Sequence, residues 1–189
     1  MTALHDRKIF FQKWLKSPLT VGSLTPSAPH LVSVMLRSVP WNRIDTVVEL
    51  GAGTGPITAG ILKRKPERVR FLAFEREPAF RQLLAQRYPG LSLYPEAKAL
   101  PEALAATGRP QADVIISGIP FAALSARDQE HLLSVIDASL APGGQLIAFQ
   151  YSLMLYARLR QRFARCDLSL ALLNLPPAAV YTCYKAAGA

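Results

Sequence analysis

The sequence predicts an α/β fold, a doubly wound and mostly parallel sheet, and three observations in the 189-residue chain point to it. Short apolar runs rich in β-branched residues alternate with helical segments from residue 46 onward. A glycine-rich turn, GAGTG at 51–55, directly follows the first of these runs. The last two runs are separated by only a few residues, too few for a parallel crossover, so as neighbours they pair antiparallel.

Taken in order, TVVEL (46–50) reads as a buried strand, and a helix follows from Pro56 to about Lys65, with proline tolerated in its first turn. VRFLAFE (69–75) is the second strand, and PAFRQLLAQRY (78–88) a helix closed by Pro89-Gly90. LSLYPEA (91–97) is a weaker third strand, and LPEALAAT (100–107) a short helix ended by Gly108. ADVIISGIP (112–120) is the fourth strand. The helix 125–140 has Ser125 as N-cap with Asp128 three residues on, and stops at APGG (141–144). QLIAFQYS (145–152) is the fifth strand and YARLRQRFA (156–164) a helix. LSLALL (168–173) and VYTCYKA (180–186) close the domain around NLPPAA. Residues 1–45 break the alternation and form an N-terminal helical extension ahead of a ligand-binding domain at 46–189. The extension holds helix candidates at 4–16 and 30–39 around the link SPLTVGSLTPSAP.

Half the residues are apolar, as in a globular domain, and no apolar run reaches the roughly 18–20 residues that span a bilayer. MTALHDRKIFFQKWLK lacks the long apolar core and small-residue cleavage site of a secretory signal. Cys166 and Cys183 are too few for a disulfide framework and lack metal spacing, so the reading is two ordinary thiols, no metal and a cytoplasmic location. Lys and Arg number 22 against 13 acids, a net charge of +9 that favours a polyanionic partner, either nucleic acid or an anionic membrane.

The glycine turn narrows the ligand. Gly51, Gly53 and Gly55 alternate, where a dinucleotide fold prefers G-x-G-x-x-G facing a pyrophosphate. Glu49, two residues before the first glycine, suits a ligand bearing positive charge and is ill-suited to phosphates. Glu75 ends the second strand 20 residues after Gly55, where an acid accepts from a ribose diol. A phosphate-free adenosine with a cationic side chain satisfies both acids, and S-adenosyl-L-methionine is such a molecule.

With ELGAGTG, the closing Glu75 and the β/α order, residues 44–186 resemble a class I S-adenosylmethionine-dependent methyltransferase, a Rossmann-like fold. The resemblance implies seven strands in the order 3-2-1-4-5-7-6 and S-adenosyl-L-homocysteine as product. It implies that Glu49 contacts the cofactor's methionine end and that Gly51, Gly53, Thr54 and Gly55 line its floor. Glu75 would hold the ribose, with Arg76, Glu96 and Ala97 near the adenine, and Ser117 and Gly118 at the end of the fourth strand.

Acceptor chemistry in this family sits after the fourth strand, which here reads SGIPF (117–121). Methyltransferases of exocyclic base nitrogens carry Asn/Asp-Pro-Pro-aromatic there, and this chain lacks the side-chain amide. The extension contributes KIFFQKWLKSP, with Phe10, Phe11 and Trp14 on one helical stripe and Lys8, Lys13 and Lys16 off it or at its edge. Arg7 falls within the stripe and Ile9 outside it. Such a segment suits an anionic bilayer interface and equally a helix packed on the sheet. FFQKWLKSPLTVGSLTPSAPHLVSVM, ELGAGTGPIT, ISGIPF and NLPPAAVY together resemble the soluble, membrane-associating bacterial phospholipid N-methyltransferases.

That resemblance implies methylation of phosphatidylethanolamine and its methylated intermediates toward phosphatidylcholine. It places the enzyme peripherally at the inner face of the membrane. The alternative is rRNA adenine N6-methylation, with nucleic acid as partner. Ser117, Phe121 and Tyr151 are the candidate catalytic side chains. Tyr151 would position the amine or receive its proton, and could equally be core; Phe121 and Tyr151 could face a methylated ammonium. SLTPSAP (23–29), with Ser27, reads as a lid over the cofactor or a plain linker.

Overall fold

The computed structural model describes residues 27–174 and 176–188. The expected helix at 4–16, with Phe10, Phe11, Trp14 and its lysines, and most of the following link lie outside the described residues.

Helix α1 (Ser27–Leu36) leads into β1 (Thr46–Leu50), α2 (Pro56–Arg64), β2 (Arg70–Phe74), α3 (Pro78–Arg87) and β3 (Ser92–Tyr94). Then come α4 (Leu100–Ala106), β4 (Ala112–Ser117), α5 (Ala126–Ser139), β5 (Leu140–Gln150), α6 (Tyr156–Arg162), β6 (Arg165–Ala171) and β7 (Ala178–Tyr184). One seven-stranded sheet runs β3-β2-β1-β4-β5-β7-β6, parallel from β3 to β5, with β7 antiparallel to both β5 and β6. This is the order and the closing hairpin that the resemblance implies.

Strand side chains alternate between faces, so each central strand feeds two cores. Val47, Val114, Ile116 and Ile147 pack under α1, α2 and α3, with Met35, Ile61 and Leu84 fully buried among them. Val48, Leu50, Ile115 and Leu146 pack under α4, α5 and α6, against Leu104, Leu133 and Leu159. Residues 27–45, grouped by sequence with the N-terminal extension, contribute Leu31, Met35, Leu36, Val39 and Ile44 to the first core. A Cβ built on Gly60 of α2 would lie 2.5 Å from the Val32 side chain, which shows how closely α1 crosses α2.

Several element bounds differ from the sequence reading; the helix read at 30–39 runs Ser27–Leu36, and the strand read at 180–186 runs Ala178–Tyr184. β5 starts at Leu140, before the Pro-Gly-Gly stop, because Leu140 pairs with Ala112 of β4 across a bulge, and the segment beyond β7 adds Gly143 N–H to Ala186 O (3.2 Å) and Lys185 N–H to Gly144 O (2.9 Å). β6 starts at Arg165 and ends at Ala171, because Arg165 pairs with Tyr184 and Ala171 with Ala178. α6 ends at Arg162, where Phe163 turns extended. Ser125 caps α5 as expected, its hydroxyl accepting from Asp128 N–H at 3.1 Å.

Asp113 fixes the entry to the central strand. Its Oδ2 accepts from both Asp45 N–H (2.8 Å) and Thr46 N–H (2.9 Å), a charge-assisted pair at the start of β1. Asp113→Ala is expected to destabilise the fold by about 2–3 kcal/mol. A lowered denaturant midpoint with an unchanged m-value is the expected readout.

Candidate active site

All strands from β1 to β5 end on one rim, and the polar residues singled out in the sequence gather there. Strand alternation puts Glu49 on the face of Val47, beneath α2, and its carboxyl is fully buried. Oε2 accepts from the Thr58 hydroxyl of α2 at 2.7 Å. Oε1 is buried with no hydrogen-bond partner. Burial pushes the Glu49 pKa from 4.5 to about 8, the negative charge of Glu75 adds to the rise, and the Thr58 hydrogen bond opposes it.

The turn after β1 is bound to both neighbouring strands. Gly51 and Ala52 N–H donate to Phe74 O of β2 (2.8 and 3.1 Å), and Gly118 N–H donates to Leu50 O (2.8 Å). A Cβ on Gly118 would sit 2.8 Å from Gly51 O, so the turns after β1 and β4 meet backbone to backbone. Gly118→Ala is therefore expected to push these turns apart and weaken cofactor binding at least tenfold in titration calorimetry, with the helical circular dichroism kept. Gly55 caps α2, and a Cβ there would lie 2.7 Å from Leu84 of α3 and 3.4 Å from Tyr88 just past that helix. Gly53 shares the left-handed backbone, at φ 56°, but among the described residues nothing lies within 4 Å of the place a Cβ would take, so bare backbone faces open space there.

Glu75 stands at the end of β2 beside this opening. Its Oε2 accepts from Gly53 N–H at 2.7 Å and its Oε1 from Glu77 N–H at 2.8 Å. Arg81, on α3, donates through Nη1 to Glu75 O (2.8 Å) and Arg76 O (2.7 Å), shaping the turn that presents the acid. Arg76 itself is exposed. Glu75 N–H donates to Tyr94 O (2.9 Å), and the Tyr94 ring stacks on Phe74 at 4.9 Å, so the end of β3 lies next to Glu75. Glu96 and Ala97 follow, both half-buried. Thr54 O accepts from Arg87 Nη1 at 2.9 Å.

On the acceptor side, Ser117 is fully buried at the end of β4, its Oγ accepting from Ile119 N–H at 3.3 Å. Phe121 corrects the sequence expectation. The short helical turn at 121–123 swings its ring into the second core, where it is 2% exposed among residues of α4 and α5, so it is not presented to the cleft. Tyr151 is 52% exposed just past β5 and meets Phe149 edge-on at 5.8 Å. Its hydroxyl accepts from Asn174 Nδ2 at 3.3 Å, and the same amide donates to Pro176 O at 2.8 Å. Gln150, buried, donates to Ile119 O at 3.0 Å and ties β5 to the turn after β4. Ser27 begins α1. The sequence reading gave no role to Thr58, Arg81, Gln150 or Asn174. Asn174 alone carried a signal, as the first residue of NLPPA.

The residues fit S-adenosyl-L-methionine: a buried acceptor without a partner among the described residues, a bare glycine facing open space, and a second carboxylate on the neighbouring turn bound to that glycine. Among the described residues, no cluster of His, Cys, Asp or Glu could hold a metal. No helix there is long and apolar enough to cross a membrane.

No family model matches the chain. It is 34% identical over 185 residues to an ornithine lipid N-methyltransferase of Singulisphaera acidiphila, covering 95% of this chain and 96% of that one. Among solved structures it resembles the N-methyltransferase NodS of Bradyrhizobium japonicum WM9, with a TM-score of 0.71 and 13% identity over 86% of this chain and 98% of that one. It also resembles the 1,6-didemethyltoxoflavin-N1-methyltransferase of Burkholderia thailandensis, solved with S-adenosylhomocysteine, with a TM-score of 0.67 and 18% identity over 98% and 92%. The structural likenesses establish the Rossmann-like methyltransferase fold, and the sequence likeness establishes kinship: the chain belongs to the bacterial lipid N-methyltransferases of the class I S-adenosylmethionine-dependent superfamily.

Proposed function

We propose that the protein methylates the headgroup amine of a membrane amino-lipid, with phosphatidylethanolamine and its methylated intermediates, toward phosphatidylcholine, as the acceptor series. Kinship to an ornithine lipid N-methyltransferase over nearly the whole chain carries the lipid reading. Both lipids offer an amine on a headgroup at a bilayer surface. A nucleic-acid base draws less support, because the turn after β4 reads SGIPF and has no side-chain amide to grip an exocyclic nitrogen.

S-adenosyl-L-methionine supplies a methyl carbon made electrophilic by its sulfonium. The chain supplies alignment. Glu49, next to the glycine turn, receives the cationic amino-acid end, and Glu75 receives the ribose hydroxyls on a carboxylate already fixed by two amides. Ser117 and Gly118 hold the turn that separates this cleft from the acceptor side. An amino-lipid amine has a pKa near that of lysine, about 10, and must be neutral to attack.

Tyr151 orients it. A hydroxyl has two acceptor lone pairs and one donor; Asn174 takes one lone pair, which leaves the other for an N–H of the primary or monomethylated amine. Tyr151→Phe is expected to lower kcat for lipid by about ten- to a hundredfold, with the cofactor dissociation constant unchanged. Asn174→Ala should lower it less and in the same direction.

The N-terminal segment with Phe10, Phe11, Trp14, Lys8, Lys13 and Lys16 is proposed to lay the enzyme on the inner face of the membrane. The test offers labelled S-adenosyl-L-methionine with vesicles containing phosphatidylethanolamine, with vesicles containing ornithine lipid, and with rRNA. Label in phosphatidylethanolamine supports the reading. Label only in ornithine lipid moves the acceptor, and label only in rRNA removes the lipid function.

A further inference from the structure

Among the described residues, every large hydrophobic side chain that is exposed falls between Tyr151 and Leu173. Leu153 follows β5; Leu168 and Leu170 lie on β6; Leu172 and Leu173 form the turn after it, 66% and 73% exposed. We infer that this strip is a bilayer-docking surface, distinct from the N-terminal segment, which seats the hairpin turn among lipid headgroups at the mouth of the acceptor site.

The register puts these residues on one rim. Gln150 at the end of β5 pairs with Ala179 of β7, and Ala179 pairs with Leu170 of β6. The turn after β6 is therefore two strand spacings, about 10 Å, from the end of β5 and at the same end of the sheet. Alternation puts Leu168 and Leu170 on the face of Tyr181 and Cys183, and among the described residues the seven-residue α6 leaves these two leucines exposed. One hydrogen bond fastens the turn to the site, from Asn174 to the Tyr151 hydroxyl, and the Tyr181 hydroxyl of β7 donates to the neighbouring Ser152 O at 3.0 Å. Docking the turn thus sets the depth of Tyr151 against the headgroups.

A long exposed apolar edge strand is an aggregation hazard unless something covers it. The proposed function, on which this inference rests, provides the cover, because the acceptor itself resides in a bilayer. The charge around the strip agrees. Arg160 on α6 is exposed and held over the Tyr156 ring at 5.8 Å. On the other flank Arg37, also exposed, donates to Ser169 Oγ at 2.9 Å, between the two leucines of β6. Guanidinium groups on both flanks and a net charge of +9 favour an anionic lipid surface over a second, equally basic copy of the chain.

The test uses the full chain and vesicles of phosphatidylcholine with about a third phosphatidylglycerol. In Leu172→Trp, the added indole emission is expected to shift to the blue on vesicle addition and to be quenched by brominated acyl chains. The double variant Leu172→Ser, Leu173→Ser is expected to partition onto vesicles at least tenfold more weakly, while methyl transfer to detergent-dispersed amino-lipid stays at the wild-type rate. Unchanged partition of the double variant, or an indole that ignores vesicles to which the protein sediments, overturns the inference. A dimer that the double variant splits, with partition unchanged, also overturns it and assigns the strip to a second copy. If the indole shifts and is quenched but no amino-lipid is ever methylated, the docking surface stands and the proposed function falls.

Discussion

Glu75→Ala is expected to lose cofactor affinity by about a hundredfold while the sheet and its helices remain folded. The Glu75 carboxylate accepts from Gly53 N–H and Glu77 N–H, one on each oxygen, and joins the turn after β1 to the turn after β2. A hydrogen bond to a charged group contributes about 1.5–3 kcal/mol; for a half-buried acid the lower end applies, so two of them come to about 3 kcal/mol. Of these two turns only Ala52 enters a core, so their loosening opens the site more than it unfolds the domain. A ribose anchor is lost in the same substitution. Glu75→Gln keeps one acceptor and turns the other into a donor facing an N–H, so its affinity should fall between wild type and Glu75→Ala. Calorimetry with S-adenosyl-L-homocysteine measures the loss, and circular dichroism checks the fold.

The second large effect is on stability against pH, through Glu49. Its folded-state pKa stands at about 8 because the carboxyl is buried, against 4.5 when exposed. Between those values the folded form holds a proton that the unfolded chain has released. Stability from this group is therefore complete below pH 4.5 and declines as the pH rises toward about 8. At about 1.4 kcal/mol per pH unit, the decline is on the order of 4–5 kcal/mol. Glu49→Gln, which cannot titrate, should remove most of this slope and melt higher than wild type at pH 8.5 without ligand. The same substitution should weaken cofactor binding, because a neutral amide replaces the acid beside the cationic end. Binding by the wild type near pH 7 should release close to one proton, read as a buffer-dependent enthalpy, and Glu49→Gln should release none. A stability difference between the two proteins that stays flat from pH 5 to 8.5 would contradict the assignment.

The same residue shows what the sequence made legible. An acid in the β-branched run TVVEL, two residues before three alternating glycines, stood out because a buried strand excludes charge unless a ligand or partner needs it. The strand–helix alternation, the Ser125 cap and the antiparallel closing pair were equally local signals. The strand order was not; it came from resemblance, since spacing alone leaves the crossovers free. Phe121 was misread because SGIPF gives no hint that a short helical turn after Pro120 swings the ring into the core. Thr58, Asn174 and Gln150 act through hydrogen bonds to partners 9, 23 and 31 positions away, and no periodicity reports such contacts. Arg81 bonds within its own turn, yet as one of many arginines in a basic chain it carried no mark. The exposed strip on β6 was hidden for a related reason. LSLALL reads only as one strand of the closing pair, and its place at the edge beside a short α6 is what leaves its leucines exposed.

The cleft between Glu49, Gly53 and Glu75 is the centre of the account, and titration of the folded protein with S-adenosyl-L-methionine and with S-adenosyl-L-homocysteine tests it most directly. Saturable one-site heat with both compounds, largely lost in Glu75→Ala, is the predicted result. No heat from either compound, with or without amino-lipid bilayers present, would contradict it.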